Sequence, residues 1–198
     1  MSVLTSPGLP VAPTQIPVPI TPDDLLKLDG LCELVDGEII EKGAMGFRSG
    51  VTTLRLASRI DVFLDSKEIG AASCETTFRC FPQKPSQVRR PDISFILAAR
   101  LGDVPDDGHV PIRPDLVVEV VSPEDRINDL EDRLADFRSV NVPLIWIVYP
   151  QSRIVRIFRP GERIEELTEA EELRGEGILP GFSVALRDIF PSPASLMK

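Results

Sequence analysis

The run PDLVVEVVSPEDRINDLEDRLADFRSVNVPLIWIVY, Pro114 to Tyr149, constrains the fold more than any other part of the chain. DLVVEVV and LIWIVY are almost continuously apolar, as strands covered on both faces are. The segment between them predicts a helix from Glu124 to about Val140. Ser122 caps it, Pro123 opens it, and Asp125 completes a capping-box-like signature. Ile127, Leu130, Leu134 and Phe137 form its apolar stripe. Strand, helix and strand in that order make a parallel crossover unit.

Hairpin-like segments precede and follow this unit. CELVDGEIIE reads as two strands joined by an Asp36-Gly37 turn. ASCETTFRCF and PDISFIL are strand candidates joined by a Pro-rich turn, and RIVRIF alternates as a half-exposed strand. RIEELTEA is an edge segment, and ILPGFSVALRDIF a strand-like turn with a closing helix. The sum is an α/β fold with a mixed central sheet. VTTLRLASRIDVFL predicts a helix with Leu54, Ala57, Ile60, Val62 and Leu64 on its apolar side. Thr21-Pro22 opens a short helix that stops at Gly30. Residues 1–20 alternate Pro with Val and Ile and read as an extended arm, which leaves 21–198 as one domain. The prolines also exclude a signal peptide or a membrane span there.

Composition excludes some functions. A net charge of −9 argues against broad binding to polyanions, while leaving room for a local basic groove. Cys32, Cys74 and Cys80 match no zinc spacing and read as reduced thiols of a cytosolic protein. The single histidine, His109, lies in a Gly/Pro-rich loop and reads as a solvated residue.

Glu119 is the anomaly. On a strand, Leu116, Val118 and Val120 share one face, and Val117, Glu119 and Val121 the other. An unpaired buried carboxylate costs several kcal/mol or takes up a proton. It therefore pairs with an arginine, or it holds a cation or acts in catalysis. Asp92 opens the apolar strand PDISFIL. Two carboxylates on adjacent strands suit a hard divalent ion such as Mg²⁺, and a backbone carbonyl such as that of Val120 adds a ligand. Such an ion activates water and stabilises a phosphoryl transition state.

RRPDISFI, PDLVVEVVSPEDR, the helix, and LIWIVYPQSRIVRIFR resemble the Uma2 family (DUF820). The resemblance extends upstream through ELVDGEIIEKGAMGFRSG and downstream through ILPGFSVALRDIF. It implies the restriction-endonuclease-like fold of the PD-(D/E)xK class, a mixed central sheet flanked by helices. It also implies Mg²⁺-dependent hydrolysis of DNA, with Mn²⁺ as a substitute and Asp92 and Glu119 as ligands. A cytoplasmic homodimer is the accompanying expectation. The position two residues after the acid, often lysine in this class, is Val121. In the Uma2-like pattern the lysine stands on the next helix, where this chain has Arg133. Arginine cannot serve as a general base, but it can hold a phosphate or pair with Glu119. The resemblance also marks Glu33, as a third acid or a hairpin charge. Arg89 and Arg90 are contacts to a DNA backbone or an exposed turn. Ser49 falls near where a histidine stands in some relatives.

Overall fold

A computed structural model describes residues 20–192, so nearly all of the expected N-terminal arm lies outside the described residues. Thr21 starts α1 (Pro22–Leu25), and its hydroxyl donates to Asp24 at 2.6 Å. The hairpin β1 (Cys32–Val35) and β2 (Glu38–Glu41) turns at Asp36-Gly37, where φ is +49° and +88°. Positive φ at both central residues is what a two-residue hairpin turn with the native strand twist needs.

The central sheet contains β3 (Gly70–Cys74), β4 (Ile93–Leu97), β5 (Leu116–Val120), β6 (Leu144–Tyr149), β7 (Ile154–Phe158) and β8 (Glu165–Thr168), hydrogen-bonded in that order. Only β5 and β6 run parallel, and every other neighbouring pair is antiparallel. The helix α3 (Ile127–Ser139) makes the crossover between them. Its Leu130, Leu134 and Phe137 pack on Val117, Ile145 and Ile147. The opposite face carries Leu116, Val118, Val120 and Trp146. It is covered by α2 (Phe47–Leu64) through Leu56 and Ile60, and by α4 (Leu186–Ile189) through Leu186 and Ile189. A second small hairpin, β9 (Glu172–Arg174) with β10 (Ser183–Ala185), adds Leu173 and Val184 to that core. Truncating one such buried leucine to alanine costs about 2–5 kcal/mol.

Four local expectations are corrected. The helix α3 begins at Ile127, three residues later than predicted, because Ser122 and Asp125 are used otherwise. Ser122 Oγ accepts from Gly46 N at 2.9 Å, and the Asp125 carboxylate accepts from Ser122 N at 2.7 Å, so 122–125 forms a turn. Ile127, at the helix start, is exposed rather than part of the stripe. On α2 the buried positions are Ser49, Thr52, Leu56 and Ile60, while Leu54 and Val62 face outward. Two hydroxyls can be buried there because each has a backbone acceptor: Val121 O for Ser49 and Arg48 O for Thr52. His109 is a clamp, not a free loop residue. Its ring nitrogens lie 2.8 Å from Thr77 Oγ1 and 2.8 Å from Pro22 O, joining the loop to α1.

Candidate active site

Strand register brings the acids together. Ile93 pairs with Val118, so one step further Asp92 stands across from Glu119. Cys74 pairs with Ile93, so the next residue, Glu75, stands across from Asp92, and its N–H donates to Asp92 O at 3.3 Å. Three carboxylates thus line up across the ends of three neighbouring strands. Asp92 and Glu119 are buried.

Asp92 is held firmly. One carboxylate oxygen accepts from Val120 N at 2.6 Å, and the other from Lys42 Nζ at 2.8 Å. Val120 therefore meets Asp92 through its N–H, while the residue itself lines the small cavity in front of the acids. Glu119 points to the α3 side. Its Oε2 lies 3.7 Å from an Arg133 terminal nitrogen, beyond hydrogen-bond length, and Asp125 lies 3.6 Å from the other. Glu119 Oε1 and Arg133 Nε are buried without a hydrogen-bond partner. Burial pushes the Glu119 carboxyl well above the usual carboxylate range; Arg133 opposes this and Asp92 adds to it. For Arg133 burial acts against the charge, but Glu119, Glu33 and Asp125 outweigh it, so the guanidinium stays protonated.

Lys42 was not singled out from the sequence. It follows β2, inside EKGAMG, and nothing local distinguishes it from a surface lysine. The hairpin carries it over the row of acids, where it also bonds to Arg90 O at 3.0 Å and Glu75 Oε2 at 3.3 Å. Burial works against its charge, but Glu119, Asp92 and Glu75 hold its pKa above the ordinary lysine range. Glu75 was likewise missed, and Asp125 was read only as part of a helix cap. Their place depends on strand register and on a turn.

Glu33 and the arginines before Pro91 belong to a buried network. Glu33 accepts from Arg89 at 2.9 Å and from Arg90 N at 2.7 Å. Arg89 also donates to Asp136 of α3 at 2.6 Å, and Asp136 accepts from Gln87 at 2.6 Å. Arg90 donates to Glu75 O at 2.8 Å and Cys32 O at 3.3 Å. The geometry places neither arginine in an exposed turn. Ser49 is occupied in tying α2 to β5.

The cavity beside Asp92 and Glu119 has a volume of about 40 Å³ and is walled by Lys42, Asp125, Leu130 and Arg133. That is room for a single ion or water-sized group. Among the described residues no set of three or more His, Cys, Asp or Glu side chains is arranged to hold a metal. Two carboxylates are nevertheless a sufficient protein share for Mg²⁺, which keeps several waters and takes the rest of its shell from substrate phosphate. The donors are hard oxygens, and one of them, Glu119 Oε1, is buried with no partner. The site fits such an ion. A groove of about 690 Å³ leads to it between the β1–β2 hairpin and α3, lined by eight carboxylates and four cations.

A mixed sheet flanked by helices, with a carboxylate pair across the ends of the antiparallel neighbours β4 and β5, defines a nuclease-like α/β fold. The chain belongs to the Uma2 family, whose model, described as "Putative restriction endonuclease", matches residues 22–187. Among solved structures it is similar to a protein from Anabaena variabilis ATCC 29413, titled "putative nuclease belonging to DUF820". The TM-score is 0.73 and the identity 21%, over 87% of this chain and 98% of that one. No curated protein gives a significant match. No helix among the described residues is long and apolar enough to cross a membrane.

Proposed function

We propose that this chain is a metal-dependent DNA endonuclease, using Mg²⁺ or, in its place, Mn²⁺. The observation that carries the reading is the pair Asp92 and Glu119, facing each other on one small cavity, with Glu119 Oε1 lacking a partner. These two carboxylates would hold the ion, with the Val120 carbonyl as a further ligand. The ion supplies Lewis-acid polarisation of a phosphoryl oxygen and a more acidic bound water.

The chain's own residues do the rest. Val120 N–H and Lys42 fix the Asp92 carboxylate. Arg133 stays charged and offsets negative charge next to Glu119, but it takes up no proton from water. Lys42 supplies a compact ammonium on the opposite side, near enough to orient a water or a phosphate oxygen. With Arg133 where the resemblance expects lysine, the activity is that of a weakened nuclease.

A second reading, a catalytically silent binding module on the same fold, has two observations in its favour. Each carboxylate already faces a cation, Lys42 or Arg133, and the groove is predominantly acidic. Two measurements separate the readings. Calorimetry with Mn²⁺ is expected to show binding that Asp92→Asn and Glu119→Gln each remove. Plasmid nicking in Mg²⁺ is expected from wild type, to rise with Arg133→Lys, and to fall with Lys42→Met by about the 10²–10⁴ of a proton-transfer or water-positioning group. Nicking by none of the proteins above the Glu119→Gln background would leave the binding module as the better reading.

A further inference from the structure

We propose that the apolar cleft at the carboxyl ends of β5 and β6 is a nucleobase subsite. It would take the base of an unpaired nucleotide next to the phosphate held at Asp92 and Glu119. The proposal rests on the nuclease reading and gives it a substrate class.

The cleft has a volume of about 460 Å³, within the range of small-molecule sites. It lies where the two helical layers part, with α2 on one face of the sheet and α3 on the other. In open α/β sheets that crevice, outside the strand carboxyl ends, is where ligands bind. Val121 and Ser122 line both this cleft and the carboxylate cavity, so the two share a wall. A group bound in the cleft is therefore a direct neighbour of whatever the carboxylates hold.

The lining indicates the occupant. Phe47 offers an exposed aromatic face, Tyr149 a ring that the Arg156 guanidinium already faces at 5.1 Å, and Pro123 and Pro150 add flat apolar surfaces. Phe47 opens α2 and is 76% exposed, an unusual position for a large aromatic with no packing role. The residues lining this cleft include no carboxylate and one cation, Arg48. The guanidinium of Arg48 has no ion-pair partner among the described residues. The groove on the other side of the site has eight carboxylates, so of the two approaches only the cleft suits an anion. A phosphodiester at the acids carries bases on its neighbouring sugars. A base in single-stranded or unpaired DNA has its π-face free to stack, whereas in a duplex it must first leave the stack. The rim is fixed for this, because Ser122 Oγ accepts from Gly46 N and Ser49 Oγ donates to Val121 O, each at 2.9 Å.

The experiment compares the full chain with Phe47→Ala, an exposed position whose loss leaves the core untouched. The probes are a labelled single-stranded oligonucleotide, its duplex, and free dTMP and dAMP, read by fluorescence anisotropy and by NMR. The expected result is tighter binding of the single strand than of the duplex. Both mononucleotides should shift the signals of Phe47 and Tyr149, and Phe47→Ala should lose about five-fold or more in affinity for the single strand. Equal affinity of wild type and Phe47→Ala, or no binding of any probe, overturns the subsite. Plasmid nicking is scored separately. Nicking with Phe47→Ala binding as wild type refutes the subsite alone. Mononucleotide binding in the cleft with cleavage of neither the plasmid nor the labelled single strand in Mg²⁺ refutes the nuclease reading and leaves the subsite standing.

Discussion

Glu119 is the residue whose chemistry most depends on its surroundings. Its carboxyl is raised by burial, opposed by a guanidinium held at 3.7 Å rather than in hydrogen-bond contact. An acid raised in the folded state keeps a proton there that the unfolded chain has already lost. Stability should therefore fall as pH climbs from the ordinary glutamate range to the higher pKa of Glu119, and level off beyond it. The loss is about 1.4 kcal/mol for each pH unit separating the two values. Glu75, also raised by burial with Lys42 opposing, adds to the fall in the same direction. Urea midpoints across this pH range are expected to decline for wild type and to decline less for Glu119→Gln. Identical slopes would mean that Glu119 is an ordinary ionised partner of Arg133. Much at this scale was legible early. The alternation of β5 put Glu119 on the face opposite Val118 and Val120, and that is where it lies. Lys42 was not legible, since its approach to Asp92 spans 50 positions in sequence.

At the scale of elements, the buried ladder Glu33–Arg89–Asp136 fastens three pieces: the β1–β2 hairpin, the segment before β4, and α3. It also sets the hairpin over the acids, which is how Lys42 reaches them. A buried charged network gains little over apolar packing, but removing its central cation leaves, among the described residues, Glu33 with no paired cation and Asp136 with only the half-exposed Lys84 at 3.2 Å. Arg89→Met is therefore expected to destabilise the protein by about 3–5 kcal/mol, read from urea denaturation. A loss under about 1 kcal/mol, the range of exposed pairs, would show that water reaches these groups. The same ladder explains why Glu33 and Arg89 looked ambiguous in sequence. Charges on a hairpin and before a proline are usually solvated, and only the packing of α3 against the hairpin encloses them.

The whole molecule is acidic, and its charge is unevenly placed. The groove between hairpin and α3 repels a polyanion, and the cleft at the other end of the site does not. With a net charge of −9, DNA binding should be weak, confined to one face and strongly salt-dependent. Mobility shift at low and at moderate salt is the measurement; binding indifferent to salt would contradict this electrostatic picture. By itself the sequence determined the parallel pair flanking α3, the two-residue hairpin turn, and the strands that carry Asp92 and Glu119. Those features follow from periodicity and turn chemistry, which act between near neighbours in the chain. Only the tertiary structure decided that Ser122 bonds to Gly46 instead of capping α3, and that His109 clamps α1. It also decided that Lys42 and Glu75 join the acids. Each of these contacts depends on strand register or loop placement across 33 or more positions, and no local pattern of residues encodes that distance.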